Sequence, residues 1–412
     1  MRAFDQALPI VALLAAAPAA AAGHLQHYGF AVVDCGWDDP HDAEPRTRYT
    51  DEVDCFTDTA QLCVYDSSER VAGRIRLMNL AGILPILHVQ GVLFETTETG
   101  VRLRPDYVER WNRFRDLNAS ALSADRVGAF YLVDEPVLNG LPPGELAAAS
   151  DLVDADYPEI PGMVIEAADT VGDLVVPPSM DWVGFDEYGI YDPGTDPRYQ
   201  EHLATLKARR STPEQRIVMI MDAQWRPEYL LLGWLPETMA EVAANYHAAA
   251  EADPDVVALI GYLWPGGLDL PEHLGARDLP ENVLDEYHRI GRSILGPRPD
   301  CPVSHVLLFD PISTYLVWDP VPDEAGAVYD VTRGLVSSLG AGPLGTDLGP
   351  LVCIEDDSPD RSSETNRDAA RPPPEDAFFY LVRSEKGGTA GSWGTDTSGG
   401  ERGGEGGCPP VP

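Results

Sequence analysis

From Tyr28 to about Leu295 the chain alternates short β-rich apolar runs with amphipathic segments of helical length, and this alternation narrows the fold more than any other feature. Strand-helix alternation is the pattern of a parallel sheet covered by its crossover helices. Eight runs can be counted, at 29–34, 61–65, 84–89, 127–133, 162–166, 182–185, 216–221 and 256–263. Helices are expected between them over 49–56, 68–81, 105–117, 144–155, 198–209, 236–251 and 281–295, with the fifth unit reduced to a loop at 169–180. In the second of these, Val71, Ile75 and Leu80 share one side and are expected to be buried. Eight units in about 270 residues match a (β/α)8 barrel. An open doubly wound sheet is the alternative, but no glycine-rich phosphate loop follows the first run.

The periodicity changes after Gly296-Pro297-Arg298-Pro299, which reads as a linker. Beyond it come short alternating runs at 306–309, 314–318, 328–333 and 378–382, separated by Pro, Gly and Asp turns, as in a small β-sandwich. The stretch 356–376 is expected to be a flexible loop, and a glycine-rich tail begins at 387. At the other end, the apolar stretch from Leu8 to Ala22 follows Arg2 and closes in small residues, as a secretory signal peptide does, and is short for a membrane span. The expected layout is therefore an α/β protein: a signal peptide at 1–22, a TIM barrel at 23–296 and a small all-β sandwich at 297–412.

Charge excludes some partners. The formal net charge is −38 in 412 residues, with only two lysines, so nucleic acid and anionic membranes are not expected partners. An exported monomer kept soluble by its acidic surface is expected. None of the six cysteines shows CxxC spacing, which argues against zinc, and export permits disulfides. Cys353 with Cys408 is the expected pair, while Cys55 and Cys63 read equally well as buried thiols in a helix and the next strand.

In a barrel the C-terminal strand ends share one rim, and here those ends carry acids and aromatics. The first offers Asp34 and Trp37, the third His88 and Gln90, the fourth Asp134 and Glu135, the fifth Glu166. The sixth offers Asp186, Glu187 and Tyr188, the seventh Asp222, Gln224 and Trp225, the eighth Tyr262 and Trp264. Carboxylates move protons and aromatic faces stack on pyranose rings, so the rim suits a carbohydrate. Too few histidines lie there for a metal, and no cofactor is expected. Strand alternation places only one of Asp134 and Glu135 toward the mouth, and Glu135, last before Pro136, is the expected acid. Trp37, Trp225 and Trp264 are expected sugar platforms, His88 and Gln90 hydroxyl ligands.

With these residues in place, the layout resembles the retaining (β/α)8-barrel glycoside hydrolases, whose acid/base glutamate closes strand four, commonly in Asn-Glu-Pro, and whose nucleophile closes strand seven. The resemblance implies that Glu135, in Asp-Glu-Pro, is the acid/base and Asp222 the nucleophile. It further implies that Tyr188 hydrogen-bonds that nucleophile and that Trp264 floors the sugar site. Two positions depart from the pattern: Asp134 stands for asparagine, and Asp222 is one methylene shorter than glutamate. Retention needs carboxyls roughly 5–5.5 Å apart and inversion about 6.5–9.5 Å. Inversion therefore stays open, as do Asp186 and Glu187 as the second carboxylate and a non-catalytic carbohydrate-binding barrel. The C-terminal unit resembles a fibronectin type III-like module through Tyr329-Asp330-Val331 and Phe378 to Arg383.

Overall fold

The structure, a computed structural model, describes residues 24–42, 45–296, 307–309, 314–318, 328–342, 346–360, 362–373, 376–386, 389–393, 402–406 and 408. The expected signal peptide and most of the expected linker and glycine-rich tail lie outside the described residues.

Eight strands close into a parallel barrel: β1 (His27–Asp34), β2 (Thr59–Cys63), β3 (Leu84–His88), β4 (Ala129–Asp134), β5 (Gly162–Ala167), β6 (Trp182–Asp186), β7 (Arg216–Asp222) and β8 (Val256–Tyr262). Each pairs with its neighbours in chain order, and β1 closes on β8 through Phe30 opposite Gly261. Successive side chains face opposite sides of a strand, so an apolar run buried on both faces supplies two cores at once. The inner core holds Ile86, Tyr131, Met163, Ile165, Trp182, Val218, Ile220 and Ile260. The outer one, between strands and helices, holds their alternates, such as Leu87, Phe130, Val164, Phe185, Met219 and Leu259. β1 is the irregular member: Phe30 lies opposite Ala60 but Asp34 opposite Leu62, so β1 spends four steps where β2 spends two. Gly29 is required there, because a β-carbon would lie 1.9 Å from the Thr59 carbonyl oxygen.

Two helices start at side-chain caps, one local and one supplied by another helix. Asp196 accepts from the N–H groups of Arg198 and Tyr199 at 2.9 and 3.0 Å, and Pro197 opens the helix Pro197–Arg209. Asn118, at the end of Tyr107–Asn118, accepts from Val71 N and Ala72 N and so caps the helix Ala72–Leu80. In that helix Ile75 and Met78 are buried with Val71 at the spacing of one helical face, while Leu80, nine residues from Val71, lies about half a turn away and is exposed. A hairpin, Phe94–Thr97 with Gly100–Leu103, occupies what the sequence presents as a plain loop after β3. Among the described residues no helix is long and apolar enough to cross a membrane.

Beyond the barrel, Val328–Leu335 pairs with Thr346–Ser358 and with Phe378–Lys386 in a mostly antiparallel sheet, and Leu307–Phe309 with Tyr315–Val317 forms a separate ribbon. Leu316 and Trp318 from the ribbon side pack on Tyr329, Val331 and Val382, which is the second hydrophobic core of a small all-β unit. Cys353 is bonded to Cys408 there. Cys63 differs from expectation: it is not a thiol but is joined to Cys35, tying the end of β2 to the loop after β1.

Candidate functional site

A cavity of about 330 Å³ opens where the strands end. Its floor is the inner apolar core, chiefly Ile86, Met163, Ile165, Ile220 and Ile260, and its polar wall consists of Gln61, His88, Asp134, Glu135, Asp186, Tyr188, Tyr262 and Asp269. Apolar depth with a few converging polar groups is the usual constitution of a small-molecule site.

Both acids of β4 line this cavity, against the expectation that only one would. A β-bulge is the reason. Tyr131 lies opposite Met163 but Val133 opposite Val164, so one extra residue breaks the alternation. Tyr131 faces inward, Leu132 and Val133 both enter the outer core, and Asp134 returns to the inside. Glu135 then takes φ 44, a left-handed conformation that costs a non-glycine residue about 1–2 kcal/mol. Its surroundings hold it there. Glu135 N donates to Ile165 O at 2.8 Å, and the fully buried Glu166 carboxylate accepts from Val137 N at 2.7 Å, Leu138 N at 3.2 Å, Ala167 N at 3.0 Å and the Thr170 hydroxyl at 2.6 Å. Glu166 thus pins the turn that carries Glu135 rather than entering the cavity.

Two acids of the wall hold their protons more tightly than free carboxylates. Burial, then the charges of Asp186 and Asp134, push Glu135 up to about 7. Burial, then Asp134, push Asp186 up to about 6, against a hydrogen bond from the Tyr188 hydroxyl to its Oδ2 at 3.0 Å. Asp186 Oδ1 is buried with no hydrogen-bond partner among the described residues. Asp134 accepts from the Tyr131 hydroxyl, and its N–H donates to Gln90 Oε1 at 3.0 Å. His88 stacks on Tyr131 at 4.5 Å between centroids, and burial lowers its proton affinity. Its neighbours fix the tautomer: Gln61 Nε2 donates to Nδ1 at 3.1 Å, and Nε2–H donates to Gln90 Oε1 at 3.2 Å. Arg226 lies over the Tyr188 ring at 4.7 Å and 3.7 Å from Asp269, which accepts from Tyr262 at 2.9 Å.

Other expected site residues lie elsewhere. Asp222 is fully buried beneath the rim, its Oδ2 accepting from Gly189 N at 2.9 Å and from the Tyr229 hydroxyl, and burial pushes it up to about 6. Its tyrosine partner is Tyr229, not Tyr188. Trp264 does not floor the cavity: β8 ends at Tyr262, so the alternation lapses, and the indole packs on Phe30 and Phe56 while donating to Glu52 at 2.6 Å. Tyr262 takes the inner place. Glu187 pairs with Arg198 and His202 outside the barrel, and Asp34 with Arg74 at 2.8 Å. Trp37 donates to Gly266 O, Trp225 to Trp234 O, and the buried Gln224 accepts from the Arg226 guanidinium, so none of the three lines the cavity. Gln90 stands behind His88 and Asp134 as a shared acceptor.

The residues the sequence analysis missed are Gln61, Asp269 and Arg226. Gln61 opens the apolar run at 61–65, but β2 begins two residues earlier, at Thr59, so Gln61 lies mid-strand, with its side chain on the inner face lining the cavity. Asp269 and Arg226 lie on loops, where no periodicity points. Two acidic clusters with metal-ligand spacing, Asp39-His41-Asp278 and Asp330-Asp356-Asp357, lie away from the cavity lining; in the first, Asp39 already accepts from Gly266 N and His41.

No family model matches the chain, and no curated protein matches it in sequence. Solved structures do align with it. Native xylanase 10B from Thermotoga maritima is 13% identical with a TM-score of 0.43, covering 66% of this chain and 96% of its own. A glucosidase from Croceicoccus marinus is 10% identical with a TM-score of 0.48, covering 89% and 94%. A GH113 β-1,4-mannanase is 10% identical with a TM-score of 0.45, covering 65% and 98%.

Proposed function

We propose that the chain is an exported glycoside hydrolase in which Glu135 is the general acid and Asp186 the second carboxylate. The observation that carries this reading is that both groups face one cavity at the C-terminal end of a closed barrel, the place where such barrels work. With its proton held to about pH 7, Glu135 donates to the glycosidic oxygen as the bond to the anomeric carbon breaks. Asp186, ionised above about 6, either attacks that carbon or takes a proton from the water that does. The Tyr188 hydroxyl steadies its charge, and Gln61, His88, Asp134 and Asp269 are the groups that meet sugar hydroxyls. Asp186 takes the role first given to Asp222 because Asp222 does not reach the cavity.

Two disulfides support an extracytoplasmic location, since such bonds persist in oxidising compartments. In the same reading residues 1–22 are a signal peptide, 23–296 the catalytic barrel and 297–412 an accessory fibronectin type III-like module, and the chain works as a monomer. The test is turnover of aryl glycosides and of plant, algal and microbial polysaccharides by the protein, Glu135→Gln and Asp186→Asn, with product anomers followed by NMR. Activity lost in both variants is expected, by about 10²–10⁴-fold for Glu135→Gln. Equal activity of Glu135→Gln and the parent protein removes Glu135 from the acid role. Sugar binding without turnover in the parent protein means a non-catalytic carbohydrate-binding barrel instead.

A further inference from the structure

Beside the cavity lies apolar surface that the fold does not use. Leu230, Leu231 and Leu232, on the turn Pro227–Leu232 after β7, are 54%, 89% and 55% exposed, and Leu235 is 56% exposed. Single exposed leucines are ordinary, but three in succession with a fourth close by are not, least of all on so acidic a chain. The turn is not loose. Its Tyr229 is buried against Trp234 at 5.1 Å between centroids and donates to Asp222, so the anchors are inside while the leucines face water.

This shelf is continuous with the cavity wall. Gly189 follows the wall residue Tyr188, and a β-carbon at Gly189 would lie 3.6 Å from Tyr229 Cε1 and 3.9 Å from Leu232 Cδ1. Arg226, just before the turn, covers Tyr188 and approaches Asp269, whose chain neighbours Leu268 and Leu270 are exposed as well. The cavity itself, about 330 Å³, is at the small end for ligand sites, so a long ligand extends beyond it, and this edge is one of its borders.

We propose that the leucine shelf seats an apolar aglycone, so that the substrate is a glycoside of a long hydrocarbon group with one sugar in the cavity; the proposal rests on the glycoside hydrolase reading. Leucine decides the chemistry of the occupant. It has neither the flat π face that stacks on a sugar ring nor a polar atom for hydroxyls, so a continuing polysaccharide gains little there, whereas an alkyl chain gains about fourfold in affinity per methylene removed from water. The net charge of −38 opposes both an anionic membrane and a second copy as the occupant.

The experiment compares kcat/KM for matched methyl and octyl glycosides of glucose, galactose, mannose and xylose, in both anomers and below micellar concentration. For the accepted sugar the octyl compound is expected to be preferred on the order of 100-fold, as burial of three or four methylenes gives. In Leu231→Ser/Leu232→Ser that preference collapses toward one, while Leu77→Ser, an exposed leucine on the helix Ala72–Leu80, retains it. Circular dichroism checks that the variants fold. Calorimetry of Glu135→Gln with octyl and methyl glycosides gives a second readout without turnover, with tighter octyl binding and a negative heat-capacity change expected. Equal efficiency on both glycosides overturns the aglycone proposal and leaves the hydrolase reading standing. Failure to turn over any glycoside overturns the hydrolase reading and this proposal with it. Leucine-dependent binding to phosphatidylcholine vesicles, or leucine-dependent dimerisation, without an octyl preference also overturns it.

Discussion

Asp222→Asn removes a charge that the fold buries completely while keeping the shape of the side chain. Asp222 is raised from an ordinary 3.8 to about 6 because burial outweighs its bonds to Gly189 and Tyr229. Below about pH 4 the acid is neutral in folded and unfolded chains alike. Between about 4 and 6 the unfolded chain ionises while the folded one keeps its proton, so rising pH favours unfolding, and above 6 the loss is complete. At 1.36 kcal/mol per pH unit the loss is about 3 kcal/mol, and Asn, which does not titrate, escapes it. At pH 4 the variant is expected to be less stable by about 1 kcal/mol, the worth of a weakened hydrogen bond, and at pH 8 more stable by about 2 kcal/mol. Urea unfolding followed by tryptophan fluorescence at pH 4 to 8 measures this, with a constant m-value as the check. A stability difference that does not change with pH would refute the reasoning. Turnover by the variant decides the second point: a fall within about tenfold fits a group that positions the loops, whereas a loss like that of Glu135→Gln returns Asp222 to the reacting pair.

Three further outcomes are expected. The pH dependence of kcat/KM is a narrow bell whose limbs belong to the Glu135–Asp186 pair near 6 and 7, and Asp134→Asn moves both limbs to lower pH by removing a like charge; unmoved limbs would argue that Asp134 acts on neither acid. Glu166→Ala leaves the N–H groups of Val137, Leu138 and Ala167 without their buried acceptor and costs about 3–5 kcal/mol in thermal or urea unfolding, with kcat reduced because the turn carrying Glu135 is released. Cys35→Ser/Cys63→Ser opens a loop of 28 residues and lowers stability by about 3.5 kcal/mol, measured against the parent protein under oxidising conditions; no change would mean that the closure is offset in the folded state.

Much of the site was legible because its residues close strands, and strand ends can be located from where an apolar run stops. Asp134, Glu135, His88, Asp186 and Tyr188 were all found in that way, and the cavity does gather them. What failed was the extension of strict alternation past places where the backbone departs from it. The bulge at Tyr131–Val133 reverses the parity of Asp134, and the end of β8 at Tyr262 sends Trp264 into the outer core. Neither break has a mark in local composition: Leu132 and Val133 look like any other strand residues. Asp222 illustrates a different limit. Its position in the run was read correctly, but its partners, Gly189 and Tyr229, come from loops whose course no residue pattern gives.

The chain's own pattern determined the class of fold, because eight apolar runs buried on both faces need helices on the outside and one another on the inside. It also determined which end gathers acids and aromatics, since those residues cluster where most of the apolar runs stop. Which acids meet was decided only in three dimensions. A carboxylate's partner is set by one extra residue in a strand, a left-handed turn at Glu135 and the contest between cavity and loop for Asp222, and each of these depends on neighbours that are close in space and distant along the chain.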